Sequence, residues 1–228
     1  MFPLIRRNFD WLIRQYGIHF RSAADVACGT GTFLHYLRRW GIPVFGIDRS
    51  DSMLRIARQK NNGHRVRLLR QDMRDLQLPH PVDLITCHFD SLNYLLSPYD
   101  LGRAFLRFRA NLTPGGHAIF DTITDAGQEP EPGVRAQFFK MPGVYSVWIT
   151  SWEPKHRLRI VTMHNVFATS DGRYAHEREV HIQRQYPVGV VVELLVRCGF
   201  KLRGVHDALS LFPVSARSDR AIYVLKKL

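Results

Sequence analysis

Cysteine is scarce in this 228-residue chain: Cys28, Cys87 and Cys198 are the only three, and no two form a Cys-x-x-Cys pair. That excludes a disulfide framework or a zinc knuckle and makes a reducing compartment, the cytoplasm, the default. Eleven histidines are present, but no His/Cys pair has finger or ribbon spacing, so no metal site is expected. No apolar run reaches the eighteen or so residues of a spanning helix. The first residues, with Arg6 and Arg7 after a very short apolar stretch, lack the long apolar core of a signal peptide. Acidic side chains are also few, 20 against 32 Lys plus Arg, for a formal net charge of +12. Such an excess invites a nucleic-acid partner. It is spread, however: residues 1–134 hold 17 basic and 13 acidic side chains and residues 135–228 hold 15 and 7. No run of five or six basic residues forms an arm that could wrap a phosphate backbone.

What is present describes a folded domain. Hydrophobic residues make up 45% and charged residues 23% of the chain, as in ordinary globular proteins. The length suits one large α/β domain, or a core domain with an insertion. Residues 4–16 place apolar side chains at three- and four-residue spacing up to Gly17, which predicts an amphipathic helix. An alternation follows: strand Ala23–Ala27, helix Thr32–Trp40, strand Val44–Ile47, helix Ser52–Lys60, and strands Val66–Leu69 and Val82–Cys87. A helix from about Leu101 to Leu112, broken by Pro114-Gly115-Gly116, leads to a strand at His117–Asp121. Short apolar strands separated by helices predict a doubly wound, mostly parallel sheet, with its ligand crevice at the carboxyl ends of the strands.

After Gln128–Gly133, which reads as a linker, the pattern becomes β-rich: Val144–Trp152, Leu158–Ala168 and Tyr174–Gln185, the last two joined by the turn Ser170-Asp171-Gly172. Residues 134–186 are therefore expected to form an antiparallel β insertion, a lid over the substrate. Residues 1–133 and 187–228 would make the core, completed by helix Pro187–Cys198 and strands Phe200–Ala208 and Ala221–Leu225. Seven strands in a Rossmann-like sheet result.

The strongest local signal is Asp25-Val26-Ala27-Cys28-Gly29-Thr30-Gly31-Thr32, between the first strand and the following helix. Gly29 and Gly31 let the backbone turn sharply beside a ligand, and the helix start presents free N–H groups. Leu34 stands where the dinucleotide fingerprint needs a small residue, and no Gly-Lys-Ser or Gly-Lys-Thr follows, so a pyrophosphate is disfavoured. A nucleoside site remains, with Asp48 at the end of the second strand placed to accept from a ribose diol. Asp48 and Asp72 could otherwise be plain helix caps.

Five segments in order, DVACGTGTFLHYL, GIDRSDSMLRIAR, QDMRDL, DLITCHFDSLNYL and LTPGGHAIFD, resemble the class I S-adenosylmethionine-dependent methyltransferases. Among these the chain is most similar to small-molecule members with a late β insertion, such as the aminosugar N,N-dimethyltransferases. The resemblance implies S-adenosyl-L-methionine as cofactor, with Asp25, Ala27, Gly29 and Gly31 at its methionine end, Cys28 packed in the same turn, and Asp48 on the ribose. Arg49 and Met53 would flank the adenine, Asp72 and Met73 would meet its amino edge and ring nitrogen, and His88 would sit near the sulfonium. Ala27 replaces the glycine usual in the first motif. A tyrosine-bearing segment that caps the cofactor in many relatives is not expected ahead of the first helix.

Methyl transfer from a sulfonium needs an in-line nucleophile in a dry site, and a base only where the nucleophile must lose a proton. His88 and Asp90 are the candidate catalytic residues, ahead of His164, His176 and His181 in the insertion. Trp148 and Trp152 share one face of a strand, as sheet packing or as a substrate wall. The expected activity is methyl transfer to an amine or hydroxyl of a small molecule. Eight basic residues lie from Arg135 to Arg184 against four acidic ones, which favours an anionic acceptor. The alternatives are an RNA or DNA methyltransferase and a non-catalytic nucleotide-binding module. Against the first, Cys87-His88-Phe89-Asp90 replaces the Asn-Pro-Pro-Tyr of base-amine methylators, and no Pro-Cys pair exists. The oligomeric state is not legible in the sequence.

Overall fold

Short apolar strands alternating with amphipathic helices can bury both faces of a sheet only by laying helices on each side. The computed structural model describes residues 2–61, 65–125 and 134–228; the linker expected at Gln128–Gly133 lies outside them. Helix α1 (Phe2–Gln15) precedes β1 (Ala23–Val26), α2 (Thr32–Leu37), β2 (Val44–Asp48), α3 (Asp51–Lys60), β3 (Val66–Arg70), β4 (Val82–Cys87), α4 (Pro98–Ala110) and β5 (Leu112–Ile123). Strands β6 (Arg135–Met141), β7 (Val144–Glu153), β8 (Leu158–Ala168) and β9 (Tyr174–Arg184) follow, then α5 (Val188–Arg197), β10 (Phe200–Asp207) and β11 (Arg220–Lys227).

Seven strands form one sheet in the order β10-β11-β5-β4-β1-β2-β3. β1 pairs in parallel with both β2 and β4, so the winding reverses at β1, and a crevice opens beyond the carboxyl ends of these strands. β11 alone runs antiparallel, between β5 and β10. This is the expected mostly parallel, doubly wound α/β fold. One face is covered by α4 and α5, whose Phe105, Phe108, Val191 and Leu195 are buried with Ile85 and Phe120 of the sheet. The other face is covered by α1, α2 and α3 through Phe9, Leu12, Leu34 and Leu54. Phe105, Phe120 and Tyr223 stack in series, with ring centroids 5.3 and 5.0 Å apart. Among the described residues no helix is long and apolar enough to cross a membrane.

A second, four-stranded antiparallel sheet has the order β6-β7-β8-β9. Three of its strands match the expected meander; β6 does not figure in the sequence reading, because all seven of its residues are exposed and it has no buried face to register as alternation. Two further expectations are corrected. Pro114-Gly115-Gly116 does not break the chain before a short strand: β5 runs through it, with Gly115 at φ +76° and a register irregularity opposite Val82 and Leu84 of β4. The turn residues make a bulge rather than a stop. The helix expected at Thr32–Trp40 tightens after Leu37 into a 3-10 turn, Arg38–Trp40.

Phe120 is fully buried in the ring stack. Phe120→Ala is expected to destabilise the protein by about 3–5 kcal/mol, read as a lower urea midpoint; an unchanged midpoint would contradict this account of the core.

Candidate functional site

The carboxyl ends of β1, β2, β3 and β4 surround a cleft of about 740 Å³. That is within the range of small-molecule sites. The turn after β1 makes its floor. Ala27, Gly29 and Gly31 all have positive φ, +56°, +52° and +74°, so the backbone reverses within five residues and α2 starts directly beneath the cleft. Gly31 is required by packing as well: a Cβ there would come within 2.7 Å of the Asn61 amide and 2.9 Å of the Ala57 Cβ on α3. The Cys28 amide donates to the Ile47 carbonyl at 2.9 Å, and the Gly29 amide donates to the Asp48 carboxylate at 2.8 Å. Asp48 also accepts from the Ser50 amide at 2.9 Å, so one side chain ties the β1 turn to the start of α3.

Asp25, Ala27, Cys28 and Gly29, with Asp48, Arg49 and Met53, all line the cleft. So do Asp72, Met73 and His88, whereas Gly31 and Asp90 do not. Asp72 accepts from the Arg74 guanidinium through both oxygens at 2.9 Å, and this bond holds its carboxyl below the usual range against the effect of burial. Asp25 is buried, with the Thr86 hydroxyl donating to it at 2.7 Å. Burial pushes its carboxyl up to about 6, against the lowering influence of His88 and Thr86. Burial raises both Cys28 and Cys87 as well, so neither is a ready thiolate.

His88 is 6% exposed at the end of β4. Phe33 of α2 meets its ring edge-on, with centroids 4.5 Å apart. Its Nδ1 lies 3.6 Å from Asp121 Oδ1 at the end of β5. Phe89 and Asp90, which follow, both take left-handed backbone conformations, φ +59° and +50°. Strain of that kind persists only where the surroundings over-determine it. Here they do. The Asp90 amide donates to Asp121 at 2.9 Å, Arg220 of β11 donates to Asp90 at 2.6 Å and to Asp121, and the Gln183 amide of β9 donates to Asp90. Burial raises the Asp90 carboxyl and Arg220 opposes this. For Asp121, burial is outweighed by His88 and Arg220, so its carboxyl lies below the usual range.

The segment beyond is stitched to the second sheet. The Asn93 amide donates to the Ile123 carbonyl at 3.0 Å and to the Arg184 carbonyl at 2.7 Å, and the Tyr94 hydroxyl meets His181 Nδ1 at 2.8 Å. His181 lines the cleft. His164 and His176 do not: cross-strand register puts them on the opposite face of the sheet from His181, where their rings stack with 3.0 Å between Nδ1 and Nε2. Trp148 and Trp152 share the face of His181, and Trp148 packs against Phe139, centroids 4.7 Å apart. Phe2, Phe33, Tyr94 and Arg74 are also part of the lining. The sequence reading misses them although Phe33, Tyr94 and Arg74 stand inside the quoted segments, because nothing in those runs tells a cleft-facing side chain from its neighbours, and Phe2 lies outside them. Asp121 also had a signal, its place at the carboxyl end of a strand beside the crevice.

Comparison with known proteins follows this geometry. Residues 23–116 match a family described as a methyltransferase domain. YqeM of Bacillus subtilis, named as a methyltransferase with no acceptor given, is 30% identical over 205 residues, 89% of this chain and 83% of that one. The dTDP-3-amino-3,6-dideoxy-alpha-D-glucopyranose N,N-dimethyltransferase of Streptomyces fradiae is 36% identical over 110 residues, 48% of this chain and 42% of that one. A crystal structure of an S-adenosylmethionine-dependent methyltransferase from Clostridium acetobutylicum superposes with a TM-score of 0.86 at 25% identity, covering 99% of this chain and 89% of that one.

The residues present fit such a cofactor. Asp48 offers carboxylate oxygens for a diol, Met53 and Met73 offer apolar flanks for a base, and buried Asp25 offers an anion for an ammonium. Because Asp25 is half-protonated near pH 6, its carboxylate is present above that pH and lost as pH falls through it. Affinity for S-adenosylhomocysteine is expected to be about tenfold weaker at pH 5 than at pH 7.5, and to lose that dependence in Asp25→Asn. Calorimetry that finds no pH effect in the unaltered protein would contradict this.

Proposed function

The chain belongs to the class I S-adenosylmethionine-dependent methyltransferases, and on that premise we propose that it methylates an amine of a small, anionic acceptor. S-adenosylmethionine, when bound, supplies an electrophilic methyl group. The chain's own contribution is to hold the acceptor nitrogen in line, keep water out and take a proton. Asp25 and Asp48 hold the two ends of the cofactor, with Gly29 and Gly31 shaping the turn between them, and Arg49, Met53, Asp72 and Met73 border the adenine. His88 receives the acceptor's proton. Among the described residues it is the only imidazole on the cleft floor; His181 belongs to the roof. Asp90, bound to Arg220 and Gln183 and outside the cleft lining, positions the turn that presents His88.

Residues 134–186 act as the lid over residues 1–133 and 187–228. Arg159 on β8 supports an anionic acceptor: it is half-buried, donates to the Gln183 side chain at 3.1 Å, and has no carboxylate within ion-pair distance among the described residues. Burial lowers the affinity of this guanidinium for its proton, and an anion seated beside it would reverse that effect. The local similarity to aminosugar N,N-dimethyltransferases supports the amine over the hydroxyl. The free cysteines support a cytoplasmic location.

The observation that carries this reading is His88, buried at the end of β4 against Asp121 and lining a nucleoside-sized cleft. Calorimetry is expected to show heat with S-adenosylmethionine and none with NAD. Labelled methyl groups are expected to reach the amine of a nucleotide-linked aminosugar, with turnover cut by about 10² in His88→Ala. Labelling of RNA at low salt, or turnover in His88→Ala near that of the unaltered protein, would contradict it.

A further inference from the structure

Behind the cleft lies a second, smaller cavity of about 170 Å³, walled by Ile5, Asn8 and Phe9 of α1, by Asp121 of β5, by Ala208 just after β10 and by Ile222 of β11. His88 is the one described residue that lines both spaces. Its Nδ1 edge approaches Asp121, which lines the second cavity and not the first. Two buried polar atoms of this pair have no hydrogen-bond partner among the described residues, His88 Nε2 and Asp121 Oδ1, in residues 6% and 3% exposed. Each such atom left dry costs about 1–3 kcal/mol. The cavity has room for several waters at roughly 30 Å³ each, and polar groups to hold them. Asp207, Asp219 and Leu209 reach it as well, and both Asp219 and Leu209 are exposed, so this side leads to solvent.

We propose that the second cavity is a water-filled exit for the proton that His88 removes from the acceptor. The inference rests on the reading of His88 as proton acceptor. Methyl transfer needs water excluded from the front cleft, so a base facing only that side has nowhere to discharge. The methylated nitrogen carries a positive charge. Its N–H bond breaks, the electron pair stays on nitrogen, and the proton passes to the imidazole. The imidazolium then gives one proton to the cavity water, which carries it to bulk buffer, so one proton leaves per methyl transferred and the ring is neutral again. Asp121 is placed to offset the ring's transient charge, as in other carboxylate–imidazole pairs. The charged groups around the ring are Asp25 on the cleft side and Asp121, Asp90 and Arg220 behind, with Asp207 and Asp219 toward solvent.

The test is deuterium exchange at the His88 ring carbon, followed by mass spectrometry in protein saturated with S-adenosylhomocysteine, which closes the front. Exchange is expected to continue at close to its rate in the free protein, and Ala208→Leu, which fills the second cavity, is expected to slow it at least about fivefold with S-adenosylhomocysteine affinity unchanged. Arrest of exchange in the unaltered complex, or no slowing in Ala208→Leu, would overturn the exit while leaving the cofactor reading intact. Failure of S-adenosylhomocysteine to bind would overturn both. Crystals of the unaltered complex under xenon give an answer that does not depend on the variant's folding: ordered water in the second cavity against Asp121 Oδ1 supports the exit, and xenon in a dry cavity refutes it.

Discussion

One guanidinium holds the working end of this protein together. Arg220, at the start of β11, donates to Asp121 at the end of β5 and to Asp90 in the strained turn after β4, and Asp90 in turn accepts from Gln183 on β9. Two sheets and the turn that presents His88 are thus joined through one largely buried cation and the carboxylates it holds. Breaking a pair of this kind leaves carboxylates buried without a counter-charge, at a cost of about 3–5 kcal/mol. Both carboxylates are shielded from water, Asp121 with 4% and Asp90 with 17% of the side chain exposed. Screening by solvent is correspondingly weak.

That constraint explains the shape of the site. A parallel sheet ends in a row of unpaired backbone groups, and the winding reversal at β1 opens a crevice there. Asp48 ties the glycine turn of β1 to the start of α3, while Arg220 ties the turn of β4 to β5 and β11. The first tie shapes the half of the cleft that fits a nucleoside. The second sets His88 against Asp121 and keeps β9, with His181, above it. Asn93 repeats the device with neutral groups, bonding both β5 and β9.

Sequence revealed the first half of this arrangement far better than the second. The β1 turn, Asp48 and Asp72 fall within short runs, where spacing alone dictates that they meet at strand ends. The five core strands up to β5 were legible for the same reason: each is an apolar run bounded by turn residues. The Arg220 hub joins residues 99 and 130 positions apart in the chain, and no local pattern announces such a contact. Asp90 looked like a candidate base because it lies two residues after His88; its carboxylate is instead occupied by Arg220 and Gln183. His164, His176 and His181 read alike in sequence, and only cross-strand register shows that His181 alone turns toward the cleft. Strand β6 was silent because an edge strand exposed along its length has no hydrophobic face to reveal it.

The central claim is that the crevice at the carboxyl ends of β1, β2 and β4 is the cofactor site and that His88 stands at its reactive end. A crystal structure of the unaltered protein soaked with S-adenosylhomocysteine tests this most directly. The account predicts ribose hydroxyls within hydrogen-bond distance of the Asp48 carboxylate, the amino group beside Asp25, and the sulfur on the His88 side of the cleft. Density for the ligand elsewhere, or in the cleft with its sulfur turned away from His88, would contradict it.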